Sequence, residues 1–186
     1  MLRPRQPAAE KGSEGFTLIE LLVVIMLVTI VGGVVLTSMV RGMQANSLAQ
    51  ARIEAYNELT LAGERVTREL RAANPVIVAA ADQTRVRVVR DGSCREFAFA
   101  VAVDTLTIRE RLSGDGCITL SAGATRPILQ SLDTSGATAP IFEYRDGAGQ
   151  ATNIPAEVST IRLTLTRALP DQPSVVVSTL VSVRNS

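Results

Sequence analysis

The chain has 186 residues, 46% of them hydrophobic and only 3% aromatic, and its formal net charge is +1. That length suits one domain, or one domain and an anchor, and the near-neutral charge disfavours both a strongly basic nucleic-acid binder and an acidic disordered chain. The absence of histidine excludes imidazole metal sites and Ser-His or Cys-His nucleophiles, and two cysteines are too few for a four-thiolate zinc site.

Residues 1–15 are polar and set Arg3, Arg5 and Lys11 against Glu10 and Glu14. Phe16 to Val40 then runs 25 residues with one charge, Glu20, and no proline. A helix needs about 20 residues to cross a bilayer, so this run spans one. It is too long for the apolar stretch of a secretory signal, and no Ala-x-Ala follows it, so a retained single anchor is expected. The natural orientation keeps the short leader inside and the large C-terminal part outside. From Gln44 to Asn74 the sequence turns polar, but Leu48, Ala55, Leu59, Ala62, Val66, Leu70 and Ala73 recur as one helical stripe. Asn74-Pro75 stops the helix, because the residue before proline disfavours the α region. Between this segment and the span the only breaker is Gly42, so one helix is expected from about Phe16 to Asn74.

After Pro75 the period changes to two. Strands are expected at Val76–Ala81 and Thr84–Arg90, with Asp91-Gly92 as a hairpin turn. Phe97, Phe99, Val101 and Val103 are expected to share one face. Leu106–Leu112 follows as a strand with Arg109 and Arg111 on one side, and Gly114-Asp115-Gly116 turns. Further strands are expected at Ile128–Leu132, Ile141–Arg145, Val158–Arg167 (Ile161, Leu163 and Leu165 inward) and Val175–Val183. The whole reads as an α+β fold: a long N-terminal helix, half membrane span and half amphipathic, packed on an antiparallel β-sheet domain. Its expected divisions are a leader over 1–15, a span over 16–40 and an outer domain over 41–186.

The junction Lys11-Gly12-Ser13-Glu14-Gly15-Phe16-Thr17-Leu18-Ile19-Glu20 closely resembles the leader of type IV pilins and type II secretion pseudopilins. The resemblance implies a pilin-like fold, cleavage by a prepilin peptidase between Gly15 and Phe16, and N-methylation of Phe16 by the same enzyme. It also matches the family's fifth-position glutamate to Glu20. A bare carboxylate in a membrane helix is costly, so Glu20 either snorkels to the interface or pairs with the new amine of a Phe16 and sets subunit register. The implied partners are the peptidase, other pilins or pseudopilins of one filament, an inner-membrane assembly platform, and lipid before assembly. The implied location is the inner membrane, with the C-terminal domain outside the cytoplasm, and then a periplasmic or cell-surface filament. A weaker likeness, in Phe142-Glu143-Tyr144-Arg145-Asp146-Gly147, in Val158 to Leu165 and in the Val-rich C-terminal strand, is to J-type minor pseudopilins and related minor pilins. The rival reading is a single-pass anchored binding or sensor domain whose leader is never cut.

Three other features carry candidate chemistry. Cys94 and Cys117 flank two expected strands in the outer domain. A disulfide there suits an oxidising compartment, and two free buried thiols are the alternative. Asp115 and Asp146 lie in Gly-rich turns that suit calcium or, more plainly, ordinary turn hydrogen bonding. Arg85, Arg87 and Arg90 are expected along one edge, with Arg95, Arg109 and Arg111 nearby. DNA is one candidate partner for them, and a solvated sheet face is the plainer reading. No nucleophile-base pair has motif support, so the chain reads as a substrate of an enzyme rather than an enzyme, with no cofactor and no metal.

Overall fold

The computed structural model describes residues 16–90, 92–115, 117–134, 140–170 and 172–184. One helix, α1, covers Leu18–Arg71 and passes through Gly32, Gly33 and Gly42 without a break. Thr17 caps it: its Oγ1 accepts the Glu20 amide at 3.3 Å, and its carbonyl accepts the Leu21 amide at 3.2 Å. Thr17-Leu18-Ile19-Glu20 therefore has the spacing of a capping box, with Glu20 at its third helical position. At the other end the chain leaves the helix as the Asn74 amide bonds the Arg87 carbonyl at 2.7 Å.

By internal contacts the chain divides into one unit ending at Leu48 and a second unit, Ala49–Ser186. In the first, the helix buries none of its side chains. In the second, Ala55, Leu59, Ala62, Val66 and Leu70 are buried, joined by Ala73 just beyond the helix. The expected stripe thus holds from Ala55 onward, whereas Leu48 is exposed.

Among the described residues eight strands follow: β1 (Val76–Ala79), β2 (Gln83–Arg90), β3 (Ser93–Ala102), β4 (Thr105–Ser113), β5 (Thr125–Leu129), β6 (Phe142–Arg145), β7 (Thr160–Leu169) and β8 (Gln172–Ser182). They form two antiparallel sheets, β1-β2-β3-β4-β5 and β6-β7-β8. The α+β class holds, with the strands divided between two sheets. The larger sheet turns Val86, Phe97, Phe99, Leu106 and Ile108 to the core, and the smaller turns Phe142, Tyr144, Ile161, Leu163 and Leu165 to the same core. Burial of each large side chain of this kind contributes about 1.5–3 kcal/mol. Tyr144 joins the sheets, its one hydroxyl proton shared between the carbonyls of Ala80 (2.9 Å), just after β1, and Gln83 (2.8 Å), at the start of β2. Burial raises this phenol's pKa to about 12, so it stays a donor.

Three expectations change at strand ends. Val103 leaves the face of Phe97 and Phe99: it sits in the β3–β4 turn at φ 59° and is 88% exposed. The fifth strand lies earlier than Ile128–Leu132 and ends at Leu129. Ser131 takes φ 60°, and Leu132 reaches the core from a loop, its amide bonded to the Asp104 carbonyl at 2.8 Å. Pro155–Glu157 forms a short 3-10 turn that the period-two pattern did not signal. Asp91, Gly116 and the leader over 1–15 lie outside the described residues.

Candidate processing and assembly site

Leu18 to Val40 is the most apolar stretch of the helix, and among the described residues nothing covers it. The 18-residue apolar window of α1 has no buried residue, and the helix is long enough to cross a membrane. Its few polar side chains are satisfied within the helix. The hydroxyls of Thr29, Thr37 and Ser38 donate to the carbonyls of Met26, Gly33 and Val34 at 2.8, 2.8 and 2.9 Å. Hydroxyls bonded back to their own helix place no unpaired donor in hydrocarbon. Glu20 is the one charge. It stands in the first turn, where the exposed amides of the helix N-terminus favour an anion.

Phe16 lies just before the capped turn and is 79% exposed. Gly15, on the other side of the expected cleavage point, lies outside the described residues. Phe16 and Glu20 are thus brought to one helix end by the Thr17 cap. The sequence reading missed that role of Thr17, although the Thr-x-x-Glu spacing is itself a recognisable signal.

The other candidates resolve differently. Cys94 opens β3 and Cys117 follows β4, and a disulfide joins them across the end of the β3–β4 hairpin, with Cα atoms 5.2 Å apart. Asp115 organises the loop between. Its Oδ1 accepts the amides of Ile118 (3.2 Å) and Thr119 (3.0 Å) and the Ser113 hydroxyl. The Ser113 hydroxyl first, and the Thr119 amide next, hold this carboxyl down at about 2. Asp146 likewise accepts the amides of Ala148 at 2.9 Å and Gln150 at 2.8 Å. Both aspartates therefore do turn chemistry. Among the described residues no group of three or more Cys, Asp or Glu side chains is arranged to hold a metal.

The arginines do not form one edge stripe. β2 is an inner strand, between β1 and β3. Arg85, Arg87 and Arg111 surround Glu96, whose side chain is only 4% exposed, at 3.7, 3.1 and 3.6 Å. Arg109 shares that face and donates to the Thr125 hydroxyl at 2.9 Å. Arg95 turns to the opposite face, with Glu110 at 3.7 Å. The side chain of Arg90 lies outside the described residues. Three of the six arginines are thus engaged with one buried carboxylate, which argues for a structural ion-pair cluster over a phosphate track.

No curated protein matches this chain. Residues 11–36 match the family described as the prokaryotic N-terminal methylation motif. That match covers both the junction at Phe16 and most of the uncovered apolar stretch Leu18–Val40. The chain accordingly carries a prepilin-type N-terminus, which supports its place in the type IV pilin and pseudopilin superfamily.

Proposed function

We propose that the chain is a minor pilin or pseudopilin, of the J-type or a related minor type, and a structural subunit of a type II secretion pseudopilus or a type IV pilus. In this reading a prepilin peptidase cuts between Gly15 and Phe16 and methylates the new Phe16 amine. The subunit waits in the inner membrane with residues 41–186 outside the cytoplasm. The assembly platform then moves it into a filament among other pilins. The observation that carries the reading is the methylation motif at the mouth of an apolar helix with no cover of its own. Such a surface is stable only in lipid or against neighbouring helices. Glu20, charged and in the first turn, is the group placed to pair with a neighbour's Phe16 amine.

Intact-mass analysis of membrane-derived protein tests this. The expected chain begins at Phe16 and carries one additional methyl group. Replacing Gly15 by a bulky residue should leave the leader attached. A wild-type chain that retains Met1 in a peptidase-positive cell overturns the reading and leaves an anchored binding domain with an uncut leader.

A further inference from the structure

The two sheets have four edge strands, and three of them are blunted. β1 has four residues and lies against the Pro155–Glu157 turn. β5 has five residues, among them Arg126 and Pro127. β6 has four residues, and its outer side is occupied: Ala81 accepts the Phe142 amide at 3.0 Å, and Tyr144 accepts the Thr152 amide at 3.0 Å. Short length, proline, charge and cover are the usual means of preventing strand addition.

β8 is 11 residues long, pairs with β7 alone, and carries no charge from Gln172 to Ser182. The Val183 amide bonds the Ser159 carbonyl at 2.9 Å, which fixes the alternation. The backbone groups of Val175, Val177, Thr179 and Val181 are therefore directed at β7. Those of Ser174, Val176, Ser178, Leu180 and Ser182 point toward the open edge. That edge has a wall. Val177 and Thr179 line one groove with Glu64, Arg68 and Arg71 of α1. Arg68 and Arg71 are exposed, and among the described residues neither has a carboxylate within ion-pair distance. Glu64 is the one acidic side chain of the groove, so two cations there face one anion.

We propose that the β8 edge takes an added strand from another protein: an extended acidic segment, antiparallel to β8, with its carboxylates on the α1 side beside Arg68 and Arg71. The free backbone row supplies main-chain hydrogen bonds, which give strand addition its affinity, and the arginine wall selects the side chains. Antiparallel addition matches every ladder of this fold and is slightly more stable per residue than parallel. Added residues opposite Val177 and Thr179 form the close, non-hydrogen-bonded pairs, so their side chains enter the groove. On the other face Val176 and Leu180, 54% and 57% exposed, gain cover from the residues opposite them. A second copy of β8 is the wrong occupant. Paired antiparallel, it would bring its own Arg68 and Arg71 to the seam, and the two α1 helices would run in opposite directions. The inference rests on the Ala49–Ser186 unit and does not depend on the reading of the N-terminus.

The test uses the full chain in detergent micelles and a fluorescent, capped peptide that alternates threonine with glutamate and is long enough to span Ser174 to Ser182. Fluorescence anisotropy should show saturable binding. The same peptide with lysine for glutamate should bind about tenfold more weakly, because like charges across an interface are costly. Arg68→Glu combined with Arg71→Glu should reverse that preference, and both side chains are exposed, so the core is undisturbed. In an antiparallel pair the threonine amides of the peptide face β8. Their N-methylation should abolish binding, whereas N-methylation of the glutamate amides should be tolerated. A glutamate peptide without saturable binding overturns the proposal. So does equal binding of the lysine peptide, a preference unmoved by the two arginine substitutions, or binding that survives threonine N-methylation. A Ser178→Cys chain that forms a reducible covalent dimer with itself in membranes would make a second copy the occupant, and it overturns the proposal too.

Discussion

Asp115 shows how one side chain can organise a loop that the backbone alone would not hold. Its oxygen collects two amides and a hydroxyl around Cys117, which itself takes φ 78°. Donors of this kind favour the charged carboxylate, hence the lowered pKa of about 2. The sign of the pH effect follows. The folded value lies below the ordinary value of 3.8, so the contribution is present above about pH 4 and is lost as pH falls through about 2. In an NMR titration the Ile118 and Thr119 amides should shift with a midpoint near 2, and Asp115→Asn should abolish the transition. A midpoint at the ordinary carboxylate value would mean that the loop bonds do not persist in solution. Gly123 serves the same region. At φ 64° it lets the returning loop lie so close to β4 that a Cβ would meet the Glu110 carbonyl oxygen.

At the scale of elements, the β3–β4 hairpin of the Ala49–Ser186 unit is secured both by its ladder and by a covalent bond. Its strands pair over nine positions from Cys94↔Ser113 to Ala102↔Thr105. The disulfide closes its open end with a sequence separation of 23. A loop of that length contributes about 3 kcal/mol by restricting the unfolded chain. Reduction should therefore lower the melting temperature of the chain clearly, and mapping under non-reducing conditions should recover Cys94 and Cys117 as one linked pair. Two alkylatable thiols in natively extracted protein would contradict this. Helix α1 depends on its surroundings in two ways. From Ala55 to Leu70 it is held by its own sheets. From Leu18 to Val40, among the described residues, it is held by its internal hydrogen bonds alone, which is why the proposed reading completes it with lipid or with other helices.

For the molecule as a whole, Glu20 separates a capping role from an assembly role. A glutamine at the third helical position still serves a capping box, because its side chain also accepts a hydrogen bond. It carries no charge to meet an amine. If Glu20 acts through charge, Glu20→Gln and Glu20→Ala should both be processed and anchored normally, since removing a charge eases insertion. Both should be depleted from sheared filaments, because breaking one side of a buried ion pair costs about 3–5 kcal/mol. Should Glu20→Gln incorporate at the wild-type level while Glu20→Ala does not, the cap is what matters. Wild-type incorporation of both would make Glu20 an interfacial residue and end the register argument.

The sequence by itself determined the features that depend on neighbours along the chain. An unbroken apolar run, the Gly15-Phe16 junction and the 3.6-residue stripe specified the long helix, the motif and the buried face from Ala55 onward. Alternation likewise located most of the strands, because each needs only one side turned inward. What the tertiary structure decided are the relations between distant segments. The joining of the two sheets rests on Tyr144 and Phe142 bonding Ala80, Ala81 and Gln83, contacts between residues some sixty positions apart. Glu96 lies four residues from the nearest turn in sequence, yet it is surrounded by arginines from β2 and β4. Cross-strand register alone brings them together, so a list of charges suggested a basic edge where the fold built an ion-pair cluster.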